Sequence, residues 1–449
     1  MDRTRLQQLL ARESAEAERR NPRSRAAYER AEHLFGRVPM TWMNKTAGAF
    51  PRYLDSARGA RVTDIDGHEY IDFCLGDTGA MAGHSPEVVA EAVRTRFAES
   101  GGATAMLPTE DAEWVGAELT RRFGLARWSF SLTATDANRW SIRLARAVTG
   151  RPKILVNSYS YHGSVDESLI VVGPDSHGTA RPGNVGAPCD VTLTSRVAEF
   201  NDLEQLEREL AHGDVAAVLM EPALTNIGIV LPEPGYLEGV RDLTRRYGTL
   251  LINDETHTFS AGPGGCTAAW NLEPDMLTIG KAIGGGIPAG AYGLSAELAD
   301  RLLGRDDLDL IDMGGVGGTL AGNALSTAAT RATLEHVLTD AAFDAMARLS
   351  ERFEAGVRSG IDAFGLPWSV SRLGARTEYR FADPAPRTGT ESAAAADTEL
   401  EDFLHLYLAN RGILLTPFHN MALMCPATTE QDVDRHTEVF AAALAELAG

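Results

Sequence analysis

Residues 275–293 read DMLTIGKAIGGGIPAGAYG. Met276, Leu277 and Ile279 make an apolar run of the length of a buried strand, and Lys281 stands at its end. Gly284, Gly285 and Gly286 follow, a backbone that lets other groups come close. A lysine in this position has two readings. Its stem can lie along apolar surface with the ammonium in water. Alternatively, desolvation keeps its amine partly neutral, as a Schiff-base lysine requires.

A second stretch bears on that choice. Residues 248–265 read GTLLINDETHTFSAGPGG, and the strand-like run Thr249 to Ile252 leads to Asp254 and Glu255. A carboxylate at one strand end, 27 residues (281 − 254) before a lysine at another, suits pyridoxal phosphate. The lysine holds the aldehyde, and the aspartate pairs with the protonated pyridine nitrogen and keeps the ring an electron sink. A strand, a crossover and a parallel strand would set both residues at the carboxyl edge of one sheet, where such folds bind ligands.

The chain has 449 residues, enough for two or three subdomains. Its 44% hydrophobic and 23% charged content is that of a globular protein. The net charge of −20 argues against nucleic acid or an anionic membrane as partner. The 4 cysteines (Cys74, Cys189, Cys266, Cys425) lie far apart, without metal-type spacing or a disulfide framework, and no metal is expected. They suit a reducing compartment, and a cytoplasmic location is expected. The N-terminal stretch is charged and lacks the apolar core of a signal peptide. No apolar run reaches the roughly 18 residues of a membrane span.

Residues 1–35 read as one or two surface helices. In RGARVTDIDGHEYIDF, Asp66-Gly67 joins two alternating runs and predicts a hairpin. The glycine-rich stretch from Cys74 to Ser85 reads as a loop near a ligand, and a helix is expected from Pro86 to Ser100. From about residue 110, helical and strand patterns alternate as in a parallel α/β sheet. Strands are expected at 128–132, 153–157, 216–220, 250–253, 277–280 and 290–294. Residues 173–194 and 384–396 read as loops, 368–381 as strands, and two helices close the chain.

After the strand pattern WSFSL come Thr133-Ala134-Thr135-Asp136 and a helical run. Small and hydroxyl residues at a helix start offer amides and a hydroxyl to an anion. A helix cap by Thr135 or Asp136 explains the same residues. Tyr161-His162-Gly163 after the next strand offers an aromatic to stack on a flat ring.

Taken in order, Tyr161-His162-Gly163, Glu221-Pro222, Asp254-Glu255, Gly280-Lys281 and Gly318-Thr319 resemble the class III aminotransferases, in the branch of glutamate-1-semialdehyde aminomutase. The resemblance also takes in FPRYLDSARGARVTDIDGHEYIDF, GHSPEVV and GTLAGNALSTAA, and so runs over nearly the whole chain. It implies a fold-type I α/β enzyme that uses pyridoxal 5'-phosphate, working as a homodimer with shared sites. Lys281 would carry the cofactor and shuttle the proton, and Asp254 would pair with the ring nitrogen. Ala134 and Thr135 would hold the phosphate, Tyr161 would stack on the ring, and Thr319 would reach the neighbouring subunit's phosphate. His257 stands where the family often has Gln or Met, and is expected to bond the phenolic oxygen. Alanine at 134 replaces a family glycine and is tolerable only with negative φ.

The family's carboxylate clamps are missing at their two usual positions. Met40, Trp42 and Phe418 line the corresponding places as an apolar pocket, the mutase's late glutamate is absent, and Arg376 remains as a clamp candidate, with Glu378 and Arg380 on its side of a strand. Such a trio also reads as a surface or subunit-contact ion network. The expected domains are residues 1–68, 69–328 and 329–449, the first and last forming a smaller part around the cofactor domain. The expected activity is an aminotransferase acting on a small amine or amino acid and a carbonyl acceptor. An intramolecular aminomutase is the alternative, with a racemase, a decarboxylase or a non-catalytic cofactor-binding protein behind it.

Overall fold

The computed structural model describes residues 2–186, 189–311 and 313–449. The alternating pattern between residues 127 and 294 builds a seven-stranded sheet. Its order is Arg127–Ser131, Gly290–Leu294, Met276–Ile279, Leu250–Asp254, Val215–Met220, Lys153–Asn157 and Ser195–Ala198. Gly290–Leu294 is antiparallel to both neighbours, and the remaining pairs are parallel. Helices cover both faces of such a sheet, so its central strands need apolar residues on each. Val215–Met220 and Leu250–Asp254 are accordingly buried at every residue. Ile154, Val156, Leu219 and Ile252 pack with Ile142, Leu144 and Ala145 of the helix Ala134–Thr149. Leu155, Val218 and Leu251 face the other way, toward Val240 and Leu243 of Tyr236–Arg246. Each such side chain contributes roughly 1.5–3 kcal/mol on burial.

The six expected strands are present, each end within a residue of its expected place. Three further strands were not expected: Gly178–Ala180 lies within the expected loop 173–194, and its antiparallel partner Ile170–Val172 and the edge strand Ser195–Ala198 flank that loop. They are short and lack an alternating apolar pattern. Residues 187 and 188 of that expected loop lie outside the described residues.

The chain divides into two compact units, Met1–Pro86 with Asp344–Ala385 and Ala395–Gly449, and Glu87–Phe343 with Pro386–Ala394. The divisions therefore fall after residues 86 and 343 instead of 68 and 328. The first moves because residues 69–86 are tied to the hairpin they follow. Gly59 and His84 exchange backbone hydrogen bonds, and His84 Nε2 lies 2.7 Å from Asp72 Oδ2. The second moves because the helix Ala324–His336 packs through Ala329 and Ala332 on Val89, and Arg122 donates to the Leu334 carbonyl at 2.9 Å. The expected loop 384–396 contains the helix Gly389–Ala394, held in the larger unit by Arg387 on Glu233 and by Asn201 on the Arg387 carbonyl.

In the smaller unit Arg61–Asp64 and Glu69–Asp72 form the predicted hairpin around Asp66-Gly67. Arg376–Arg380 is the middle strand of a second sheet, between Ser369–Leu373 and Met421–Leu423. Among the described residues no helix is long and apolar enough to cross a membrane, and no group of three or more His, Cys, Asp or Glu is placed to hold a metal ion.

Candidate active site

The parallel strands deliver their following residues to one edge of the sheet. Asp254 ends Leu250–Asp254, Lys281 lies just past Met276–Ile279, Tyr161 and His162 follow Lys153–Asn157, and Ala134 and Thr135 follow Arg127–Ser131. The larger unit therefore brings together six of the residues singled out in the sequence.

Asp254 is 3% exposed. Its Oδ2 accepts from Asn138 Nδ2 at 2.8 Å and lies 2.9 Å from His162 Nδ1, and its Oδ1 accepts from the Thr256 amide at 3.1 Å. Burial pushes this carboxyl up, but His162, by hydrogen bond and by charge, together with Thr256 and Asn138, outweighs it and holds the pKa down at about 2. The group is thus a fixed anion with acceptor capacity left on Oδ1. His162 Nε2 is buried with no partner. Glu255 and Glu221 behave differently, since burial raises both, and Glu255 already accepts from Thr258, Cys266 and Thr267. Glu221 lies under Tyr161, whose amide points to its Oε1 at 3.4 Å, and takes the Thr225 hydroxyl at 2.5 Å.

Lys281 Nζ lies 2.7 Å from His257 Nε2. With Lys281 as an ammonium, which only donates, Nε2 would accept and Nδ1 would carry the imidazole proton. Lys281 itself has φ +47°, an uncommon conformation for a side-chain-bearing residue, at the turn that carries it off the strand.

The phosphate-binding expectation concerns the start of Ala134–Thr149. Thr133, not Thr135 or Asp136, is the cap, and its Oγ1 accepts the Asp136 amide at 3.1 Å. That leaves Thr135 free of capping duty. Ala134 is the first helical residue with ordinary negative φ, so alanine is tolerated there. Two glycines make room for this helix end. A Cβ on Gly163 would stand 2.0 Å from Thr135 Oγ1, and one on Gly280 2.9 Å from the Ala134 amide nitrogen. Thr319 is exposed, within a turn-rich segment.

Asn138 and His162 had not been singled out as partners of Asp254. Asn138 also donates to the His162 carbonyl at 3.1 Å and accepts from Thr278 at 2.7 Å, so it knits three strand ends together. The signal was an asparagine on the inward face of an amphipathic helix.

The smaller unit holds the other candidates. Trp42 meets Phe418 edge to face at 5.6 Å, and the Met40 sulfur accepts from the Trp42 amide. Arg376, Glu378 and Arg380 are buried, which rules out the surface ion network. Arg376 Nη2 donates to Thr78 Oγ1 at 2.6 Å, and His419 Nδ1 lies 3.4 Å from Glu378.

These residues fit pyridoxal phosphate. A permanent buried anion suits a ring nitrogen, free helix-start amides and the Thr135 hydroxyl suit a phosphate, and the Lys281 amine suits an aldehyde.

Comparison with known proteins agrees. The profile of the family described as aminotransferase class-III matches residues 42–444. A glutamate-1-semialdehyde 2,1-aminomutase of Desulfitobacterium hafniense (strain DSM 10664 / DCB-2) is 34% identical over 398 residues, which is 87% of this chain and 90% of that protein. The crystal structure of a glutamate-1-semialdehyde-aminomutase from Pseudomonas aeruginosa PAO1 superimposes with a TM-score of 0.96 at 48% identity, covering 100% of this chain and 99% of that one. A variant of the same enzyme was solved in complex with PMP. An omega-transaminase from Sphaerobacter thermophilus gives 0.85 at 31% identity, covering 95% and 98%. The chain belongs to the class III aminotransferase family, fold-type I enzymes whose cofactor is pyridoxal phosphate.

Proposed function

We propose that this enzyme is an aminotransferase that takes the amino group of an amine with an apolar body and passes it to a keto or aldehyde acceptor. When bound, the cofactor supplies an electron sink for the charge left on the substrate carbon. Lys281 holds it and moves the proton at that carbon. His257, with Nε2 at 2.7 Å from Lys281 Nζ, is placed to accept the amine's proton, beside its expected bond to the phenolic oxygen. Asp254 keeps the ring nitrogen protonated, Ala134 and Thr135 bind the phosphate, and Tyr161 stacks on the ring. Thr319, exposed in its own chain, supports the reading that it serves a partner's site in a homodimer.

The observation that carries the donor class is the apolar wall of the smaller unit. Met40, Trp42 and Phe418 come together there, with no arginine at either usual clamp position. A carboxylate buried against such a wall would cost several kcal/mol. An apolar body instead gains roughly 25 cal/mol per Å². The second reading is the intramolecular aminomutase, favoured by the names of the relatives at 34% and 48% identity.

Acceptor dependence separates the two. The holoenzyme mixed with 1-phenylethylamine alone should release at most one equivalent of ketone, and added pyruvate should restore multiple turnovers. Catalytic isomerisation of glutamate-1-semialdehyde with no acceptor present would establish the mutase.

A further inference from the structure

Tyr161 is carried by the turn that follows the strand Lys153–Asn157, residues 158–162. Within it Tyr159 has φ +62°, the left-handed region that a bulky aromatic residue rarely adopts. Such strain persists only where surrounding contacts over-determine it.

Those contacts reach every residue of the turn. Ser160 returns to the Asn157 carbonyl through its amide at 3.0 Å and through its hydroxyl at 2.7 Å. The Tyr161 amide faces Glu221, and the His162 carbonyl accepts from Asn138. Further contacts come from the unexpected antiparallel pair Ile170–Val172 and Gly178–Ala180, which is fixed to the turn at two points. The Val172 amide donates to Ser158 Oγ at 3.1 Å. Arg181, the residue after Gly178–Ala180, donates from Nη1 to the Ser160 carbonyl at 3.0 Å. Its guanidinium also lies over the Tyr159 ring, 5.6 Å from the centroid, within the range of a cation–π attraction. Half-buried there, Arg181 has no ion-pair partner among the described residues. One side chain thus grips the residue before Tyr161 by its carbonyl and the strained residue before that by its ring. The helix Gly389–Ala394 closes the remaining space. A Cβ on Gly389 would stand 2.1 Å from the Ser158 carbonyl oxygen and 3.2 Å from Tyr159 Cβ. All of these residues belong to the larger unit.

We propose that Arg181 is a positioning residue: it holds the strained turn at Tyr159 and Ser160, and through that turn it sets the pose of Tyr161 against the cofactor ring. The second half rests on the reading that Tyr161 stacks on the ring, and the first half does not.

The test pairs Arg181 with Tyr161. In the holoenzyme at saturating cofactor, Arg181→Gln should speed amide exchange across residues 158–162. It should raise the dissociation constant of pyridoxal phosphate about tenfold, the scale of one aromatic contact, and weaken the visible circular dichroism of the bound ring. A merely structural loss would lower the melting temperature and leave that dichroism as it was. Arg181→Lys keeps a donor for the Ser160 carbonyl and a cation for the Tyr159 ring, and should recover most of the loss. In a Tyr161→Ala background Arg181→Gln should add little to the loss of affinity. Should Arg181→Gln fail to fold, Arg181→Met, which keeps an apolar stem, carries the same readouts. The proposal is overturned if exchange and dichroism stay at wild-type values, or if the affinity loss is as large in the Tyr161→Ala background as in the wild type. A rise in KM for pyruvate with cofactor binding unchanged would make Arg181 an anion clamp and overturn it equally. If Tyr161→Ala by itself leaves affinity and dichroism unchanged, the stacking reading falls, and exchange across 158–162 still decides whether Arg181 holds the turn.

Discussion

At the scale of single residues, the site turns on Asp254, whose ionisation is set by its neighbours. Its pKa is held at about 2 against an ordinary value of 3.8. A depressed carboxyl stabilises the fold at pH above its unfolded value, and that contribution fades as pH falls from about 3.8 through about 2. The difference corresponds to about 2 kcal/mol. Asp254→Asn keeps a hydrogen-bond partner for Asn138 but loses the charge. We expect it to fold and to retain cofactor, with proton transfer slowed about a hundredfold or more, read by single-turnover absorbance. Near-normal rates would assign the ring nitrogen to another group. Glu255 is a poor candidate for that, because three residues already donate to it. Lys281 and Asp254 were legible because each ends an apolar run, a pattern local in sequence. Asn138 and His162 were not, since they meet Asp254 only after separate strands have paired.

Between neighbouring elements, close approach decides function and stability. The start of Ala134–Thr149 comes so near the turn after Lys153–Asn157 that Gly163, at φ +80°, has no room for a side chain. Gly163→Ala should cost about 2 kcal/mol of stability and push Thr135 out of place. Thermal melting and cofactor titration would both register the change, and wild-type values in both would refute the cradle. The helix Glu430–Ala448 offers a different test. His436 is 0% exposed, its ring nitrogens lack partners, and it packs against Phe73, Phe353 and Phe440. Burial pushes its pKa down to about 3, so the folded state keeps it neutral. Unfolding lets it bind a proton once pH drops below about 6.5, and the fold loses stability from there toward pH 3. By pH 4 the loss amounts to about 3 kcal/mol. His436→Leu should flatten the stability profile between pH 6.5 and 4, as measured by denaturant unfolding at each pH. An unchanged slope would place the acid sensitivity elsewhere. The strand pattern revealed the sheet because both faces of its central strands are apolar. It hid Ser195–Ala198 and Gly178–Ala180, which are short edge pieces with little apolar periodicity.

For the molecule as a whole, two long-range choices escaped the sequence. The division between units depends on which helix packs where, as with Ala324–His336 on Val89. The helix Gly389–Ala394 belongs to the larger unit although both flanking stretches belong to the other. No local pattern carries that information. Fold class and cofactor were legible because five ordered motifs and three longer matching stretches together run over nearly the whole chain. The central claim, that the larger unit's sheet edge carries the cofactor on Lys281, has an unusually clean test. The chain has three lysines, Lys45, Lys153 and Lys281. Lys153 pairs with Asp214 at 3.4 Å, and Lys45 lies over the Phe418 ring at 5.0 Å. Reduction of the yellow holoenzyme with borohydride, followed by digestion and mass spectrometry of the peptides, reads which amine bears the cofactor. The account predicts the reduced adduct on the Lys281 peptide alone, with Lys281→Ala leaving no adduct. An adduct on Lys45 or Lys153, or one that survives Lys281→Ala, would contradict it.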